Sequence, residues 1–242
     1  MTAATAFLNA AARRLRKPAV KISGALRFGV DLGTATVVLT ALDETGTPIY
    51  WDFLPCEAVR DGVVVNFGDA VAAVRKLKTD AETQLGVQIT SAGTAYPPGV
   101  PVSDSRACPF VLESAGIDCR SLVDEVTAAQ ALLQLRSGVI VDVGGGSTGV
   151  GIVEDGKIVQ LDDRPGGGRH LDLILAGALR ISTDEAERLK RKKPADYIDI
   201  LRPGVERVAA SVQRQIGGRV VTSVHLVGGA LRLPGSSRIP LE

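Results

Sequence analysis

Val139-Ile140-Val141-Asp142-Val143, followed by Gly144-Gly145-Gly146-Ser147-Thr148 and then Val150-Gly151-Ile152-Val153, is the stretch on which the reading of this 242-residue chain turns. The β-branched run around one Asp reads as a buried strand, the glycines as a tight loop, and the second apolar run as a strand returning to an Asp155-Gly156 turn. Leu26 to Leu42 repeats the design: an apolar run carrying Asp31, then Leu32-Gly33-Thr34, a second apolar run, and a turn at Glu44-Thr45-Gly46. A device that occurs twice predicts an internal duplication, and therefore two related domains facing one another.

The chemistry of the two loops follows from their residue types. An Asp at a strand end, followed by Gly and Ser/Thr in a reversing loop, gathers backbone N–H groups and hydroxyls beside a carboxylate. That combination suits a phosphate and its magnesium. Glycine lets the backbone approach phosphate oxygens and permits φ > 0 without strain, and Mg²⁺ takes hard oxygen ligands, commonly through water. One such loop is equally well a plain structural hairpin; two of matching design, with a third Gly228-Gly229 after an apolar run, point to a ligand. Neither GxxxxGK[ST] nor a strand-linked GxGxxG is present, which disfavours a P-loop or Rossmann site.

Outward from these loops, Gly62 to Phe67 reads as a short strand or turn, and Asp69 to Gln84, with Val71, Val74 and Leu77, as a helix. Ile89 to Tyr96 reads as a strand ended by Pro97-Pro98-Gly99. Cys108 to Ser114 and Thr127 to Leu135 read as helices, with Leu122 to Glu125 a short strand between them. Gly166-Gly167-Gly168 opens a helix through Leu171, Leu175 and Leu179, and Ser182 with Glu185 forms a capping box for a helix ending at Lys190 to Lys193 before Pro194. Pro203 to Gly217 reads as a further helix, and Val224 to Val227 as a strand running into Gly228-Gly229. Met1 to Ala19 is a short amphipathic basic segment, whose simplest reading is a frayed tail and whose other reading is a docking peptide.

Composition removes several function classes. With 28 Lys+Arg against 27 Asp+Glu there is no broad basic field for nucleic acid or an anionic membrane, and 4% aromatics leave little for base stacking. The run Lys190 to Lys193 reads as an ordinary helix C-terminus. Three widely spaced cysteines and two histidines disfavour a disulfide framework or a zinc site and point to a reducing compartment. No apolar run approaches the ~20 residues of a membrane helix. The expectation is a cytoplasmic protein. The 27 glycines exceed the ordinary ~7% of residues, and many fall in the loops described.

Taken together, Asp31-Leu32-Gly33-Thr34, Glu125 to Ala129, Asp142 to Ser147, and Gly228-Gly229 with Pro234-Gly235 resemble, in order, the first phosphate loop, first connector, second phosphate loop and adenosine motif of the actin, hexokinase and DnaK superfamily. Within it, the Arg60 to Val64 block, Tyr96-Pro97-Pro98-Gly99 and Val111 to Gly116 are most similar to the ethanolamine utilization EutJ family, with MreB, FtsA and PilM as more distant relatives. The resemblance implies an α/β fold of two actin-like (ribonuclease H-like) domains, 26–136 and 137–242, behind an N-terminal tail 1–25, with a nucleotide cleft between them and small insertions only. It implies ATP or ADP with Mg²⁺ as cofactors. Asp31 and Asp142 would hold magnesium through water, and Gly33, Thr34, Gly144, Gly145, Gly146, Ser147 and Thr148 would meet the phosphates. Glu125 and Asp142 would serve hydrolysis, Glu125 by orienting water. Gly167 and Gly168 match the second connector, Glu187 and Lys190 would flank the adenosine with a surface ion pair as the alternative, and Gly228 and Gly229 would meet base and ribose.

The implied function is that of a chaperone-like ATP-binding protein of the ethanolamine microcompartment, a weak ATPase whose domain closure regulates a partner, such as ethanolamine ammonia-lyase or a shell protein. The alternative is a non-catalytic adaptor or scaffold for such proteins; a small-molecule kinase ranks last because there is little room for a sugar-binding insertion. Three departures stand out. Val126 replaces the connector proline, no counterpart exists for the phosphate-contacting lysine of DnaK, and Ser236 to Glu242 resembles an aberrant end or, at Leu241-Glu242, a cloning scar where relatives continue to a crossing helix.

Overall fold

The structure is a computed structural model that describes residues 3–19, 22, 24–60, 63–101, 105–230 and 232–235. The expectations for Asp61-Gly62 and for Ser236 to Glu242 lie outside these residues. The chain divides into two compact units. The first comprises Met1–Tyr96, Val100–Asp124 and Ala131–Leu133; the second comprises Pro97–Gly99, Glu125–Gln130 and Gln134–Glu242.

In the first unit, β1 (Arg27–Leu32), β2 (Thr36–Leu42), β3 (Pro48–Pro55), β6 (Ser91–Tyr96) and β7 (Asp118–Asp124) form one sheet in the order β3-β2-β1-β6-β7. The β3–β2 and β2–β1 pairings are antiparallel, whereas β1–β6 and β6–β7 are parallel. A small ribbon, β4 (Val59–Arg60) and β5 (Val63–Val64), precedes α2 (Phe67–Leu85). Helix α2 buries Val71, Val74 and Leu77 at helical spacing, together with Ala70 and Ala81. Its ends are chemically marked: Asn66 accepts from the Asp69 N–H at 3.2 Å, and Gly86 closes it at φ 67, donating to the Glu82 carbonyl. Val111 and Leu112 of α3 (Ala107–Ser114) join the sheet residues Val37, Leu39 and Ile49 in the same core.

The N-terminal segment is not frayed. Helix α1 (Ala3–Ala12) buries none of its residues, but the chain after it runs along the outer edge of β3. Arg16 N–H donates to the Trp51 carbonyl at 2.9 Å, Trp51 N–H to Arg14 at 3.2 Å, and Ala19 N–H to Ile49 at 2.9 Å. The Trp51 indole donates to the Ala11 carbonyl at 2.8 Å, and Arg16 pairs with the buried Asp52 at 2.6 Å.

In the second unit, β8 (Gly138–Val143), β9 (Ser147–Glu154), β10 (Lys157–Pro165) and β11 (Val224–Val227) form a sheet in the order β10-β9-β8-β11. Here too two antiparallel pairings are followed by a parallel one, so the strand order of the first unit recurs. This repetition realises the duplication read from the two hairpins. Asp155 (φ 48) and Gly156 (φ 81) make the expected two-residue turn between β9 and β10. Between β10 and β11 lie α5 (Gly168–Leu179), α6 (Thr183–Lys192), a 3₁₀ turn (Pro194–Tyr197) and α7 (Ile198–Ile216). Val208, Val212 and Ile216 of α7 cover Val139, Val141, Val150 and Ile152 of the sheet. Leu171, Leu175, Ala186, Leu201 and Val205 knit α5, α6 and α7 together.

Several boundaries move. The expected strand at Leu122 to Glu125 is longer and earlier, 118–124, and Glu125 instead opens α4 (Glu125–Leu133). Helix α7 starts at Ile198, so Pro203 lies inside it rather than at its start. Strands β3 and β10 were not anticipated. The Ser182 hydroxyl does accept from Glu185 N–H at 3.2 Å, but the Glu185 carboxylate pairs with Arg188 instead of reaching back, so only half of the capping box forms.

Candidate functional site

Both glycine hairpins have the same register. Asp31 stands opposite Val38 and Leu32 opposite Val37; Asp142 stands opposite Gly149 and Val143 opposite Thr148. Each turn is closed by one bond from the Gly two residues after the Asp to a carbonyl three residues on: Gly33 N–H to Thr36 and Gly144 N–H to Ser147, both at 3.0 Å. Among the described residues, the two central N–H groups of each turn, Thr34 and Ala35 in one and Gly145 and Gly146 in the other, have no backbone acceptor. Two adjacent unspent donors beside a strand-end carboxylate form a small electropositive cradle suited to a phosphate oxygen.

One part of the expectation needs correction. None of these turn glycines has positive φ; their value lies in close approach, since a Cβ on Gly33 would stand 2.9 Å from the Thr36 carbonyl. Positive φ occurs instead in the segments around the second turn, at Gly166 (φ 136) and Gly228 (φ 85).

Those segments hold the second turn from behind. Gly168 N–H donates to Gly144 O at 3.0 Å and Arg169 N–H to Gly145 O at 2.8 Å, so the first donors of α5 are satisfied by the turn. Gly166 N–H donates to Gly146 O at 2.9 Å. A Cβ on Gly167 would strike the Gly144 and Gly145 carbonyls, which explains glycine there. On the other side, a Cβ on Gly228 would strike the Val143 carbonyl and lie 2.5 Å from Asp142 Oδ1, while Gly229 faces open space. Ala230 N–H donates to Val143 O at 3.1 Å. The β8–β9 turn, the segment Gly166 to Arg169 and the segment Gly228 to Ala230 are thus neighbours within one unit.

Two residues assigned to the ligand are otherwise engaged. Thr148 is buried and its hydroxyl donates to the Gly166 carbonyl at 2.6 Å, which makes it a brace for the turn. Lys190 is buried rather than lying in a surface pair with Glu187: its ammonium contacts Asp172 at 2.6 Å and donates to the Gly168 carbonyl at 2.9 Å. Burial pushes the Asp172 carboxyl up, and Lys190 pulls it partly back. The 2.6 Å contact leaves Asp172 Oδ1 without a well-directed hydrogen bond, so it is an ion pair first. Glu187 pairs with Arg191 instead.

Glu125 is half-buried at the first turn of α4, and its neighbour Val126 is fully buried. Val126 lies over Gly149 and Gly151 of β9: a Cβ on Gly151 would strike it, and one on Gly149 would press it at 3.2 Å. The valine that replaces the expected proline therefore locks the start of α4 onto the sheet by packing. Asp31 is solvent-exposed, yet protein crowds it closely enough that desolvation pushes its carboxyl up to about 6. Glu125 and Asp142 both already interact with neighbouring groups. Among the described residues no three His, Cys, Asp or Glu side chains are grouped to hold a metal, and no helix is long and apolar enough to cross a membrane. Asp31 in the first unit and Asp142 in the second each stand at a strand end beside their own turn.

Asp172 and the Gly149/Gly151 trough went unread in the sequence. A carboxylate between Leu171 and Leu175 on the apolar side of a helix was the available signal for the first, and two glycines spaced by two in a strand for the second.

Comparison with known proteins agrees with this geometry. A family model described as cell division protein FtsA matches residues 139–240. The ethanolamine utilization protein EutJ of Escherichia coli (strain K12) is 38% identical over 235 residues, covering 97% of this chain and 84% of the relative. The crystal structure of EutJ from Carboxydothermus hydrogenoformans, 36% identical, superposes with a TM-score of 0.92 over 98% of this chain and 90% of that one. The fold alone is shared with a PilM-PilN type IV pilus biogenesis complex (TM-score 0.70, 14% identity, 90% and 85% covered). It is shared equally with MreB 5 of Spiroplasma citri bound to AMPPNP (TM-score 0.65, 16% identity, 86% and 85% covered). By sequence and by fold, the chain belongs to the EutJ family of ethanolamine utilization proteins.

Proposed function

We propose that the chain serves ethanolamine utilization as a nucleotide-binding, chaperone-like protein, taking ATP or ADP with magnesium and turning ATP over slowly. The observation that carries this reading is the pair of turns in identical register, each with two backbone donors unspent beside an aspartate. The fold shared with a protein crystallised with AMPPNP supports it. Gly144, Gly145, Gly146 and Ser147 would receive phosphates, with Gly33 and Thr34 as their counterparts in the first turn. Gly228 and Gly229 would admit ribose and base, and Gly167, Gly168 and Thr148 would brace the loop. Glu125, anchored through Val126, would orient a water; such positioning and electrostatics carry most of phosphoryl-transfer catalysis. Without a lysine corresponding to that of DnaK, hydrolysis is expected to be slow.

Domain closure on nucleotide, with a microcompartment protein as the regulated partner, is the switch this reading implies. Isothermal titration of ATP·Mg²⁺ into the wild-type protein, Asp31→Ala and Asp142→Ala tests it: heat from the wild type and a loss on the order of tenfold or more in each variant is expected. A silent wild-type titration sinks the reading. One observation favours the adaptor alternative, namely that α1 buries nothing and leaves Leu8 56% exposed. Retained capture of ethanolamine ammonia-lyase or shell proteins by Asp142→Ala would support that alternative, and phosphate release stimulated by the lyase would speak against it.

A further inference from the structure

Helix α6, Thr183-Asp184-Glu185-Ala186-Glu187-Arg188-Leu189-Lys190-Arg191-Lys192, is charged along most of its length, yet its only buried residues are Ala186 and Lys190. A buried ammonium needs a compensating charge, and Asp172 on α5 supplies it at 2.6 Å, with side-chain exposures of 9% and 8%. A second donor of the ammonium goes to the Gly168 carbonyl at 2.9 Å. From there the connection is all backbone: Gly168 N–H to Gly144 O, and Arg169 N–H to Gly145 O. The ammonium is thus separated from the β8–β9 turn by one peptide group. Its charge is neutralised by Asp172, so it offers no net attraction to a polyphosphate, and leaving the pair would strand a buried carboxylate.

We propose that Lys190 is a positioning residue, which pins the first turn of α5 against the β8–β9 turn and so fixes the backbone donors of Gly145 and Gly146, and that it does not touch adenosine. Its link to polyphosphate rests on the nucleotide reading above; its link to the turn does not. The experiment separates the two. The full chain is compared with Asp172→Asn and with a double variant, Asp172→Leu with Lys190→Met, which leaves no lone buried charge and so keeps the unit folded if a single change does not. Hydrogen exchange is measured without ligand at the Gly144, Gly166, Gly168 and Arg169 amides, with Val224 to Val227 as internal reference. Affinities for ATP, tripolyphosphate and adenosine are measured alongside.

Exchange at the four amides is expected to rise on the order of tenfold in the double variant while the β11 amides hold. ATP and tripolyphosphate should weaken by a common factor, on the order of tenfold, in both variants, with adenosine affinity unchanged. Unchanged exchange at those amides overturns the proposal. So does an equal loss for adenosine and ATP in the double variant, or an Asp172→Asn protein that binds ATP as well as the wild type. If the wild type binds neither ATP nor tripolyphosphate, the nucleotide reading falls and the exchange result alone decides the positioning role.

Discussion

The β1–β2 turn and the β8–β9 turn share strand register, closing bond and the position of the aspartate, and they differ in what stands behind them. The first has its own Gly33–Thr36 bond and one brace from another segment, Cys56 N–H donating to the Ala35 carbonyl at 3.2 Å. The second has three of its carbonyls, at Gly144, Gly145 and Gly146, engaged by the segment that opens α5, and its Asp142 is flanked closely by Gly228. A duplicated local sequence therefore sets the turn twice, while residues far away in the chain brace it unequally, by one bond at the first turn and three at the second. The more rigid copy is the better candidate for holding a phosphate in fixed geometry.

The sharpest way to break this contrast is an alanine scan of its glycines. Gly167→Ala drives a Cβ into two carbonyls of the second turn, and we expect it to cost about 3 kcal/mol or more in urea unfolding and to abolish ATP binding. Gly33→Ala meets one carbonyl at 2.9 Å and should cost about 1–2 kcal/mol. Equal costs would erase the distinction between the turns. Next in size, Val126→Ala empties the trough over Gly149 and Gly151 and should cost about 2 kcal/mol, with ATP turnover falling further than ATP affinity if Glu125 is displaced.

A pH series sharpens the comparison from the side of the first turn. The folded-state carboxyl of Asp31 lies at about 6, against 3.8 for the free group. The native protein therefore holds that proton more tightly than the unfolded chain does. Its stabilising contribution is present below pH ~4 and is lost as pH rises to about 6. The melting temperature of the ligand-free protein should carry this downward component between those values, Asp31→Asn should remove it, and Asp142→Asn should leave it in place. A slope that survives in Asp31→Asn would remove the assignment. Smallest are the helix caps, one per unit: Asn66→Ala and Ser182→Ala should each cost about 1 kcal/mol, and Glu185→Gln only a few tenths because its exposed pair with Arg188 replaces the missing capping arm.

Much of the architecture was legible because its signals are local. β-branched runs, Asp155-Gly156, Asn66 before α2 and Ser182 before α6 announce themselves within a few residues. Strand β10 did not, since Lys157–Pro165 alternates weakly, carries two aspartates and an arginine, and exposes one face. Pro203 misled the reading of α7 because proline usually marks a helix start; here the 3₁₀ turn Pro194–Tyr197 supplies the start and the tertiary core carries the helix through. At the site, the carboxylate-glycine pattern was legible and the partners of Thr148 and Lys190 were not. Thr148 braces Gly166 and Lys190 is paired with Asp172, each at least 18 residues away along the chain, a distance no spacing rule spans.

The segment from Arg14 to Ala19 lies along the edge of β3, and it is made before the strand it covers. During vectorial synthesis β3 therefore emerges with its outer partner already present, and its N–H and C=O groups need not remain bare while the second unit is translated. A nascent sheet edge is where chains most readily pair with the wrong neighbour. In this protein the order of residues protects that edge in time as well as in space.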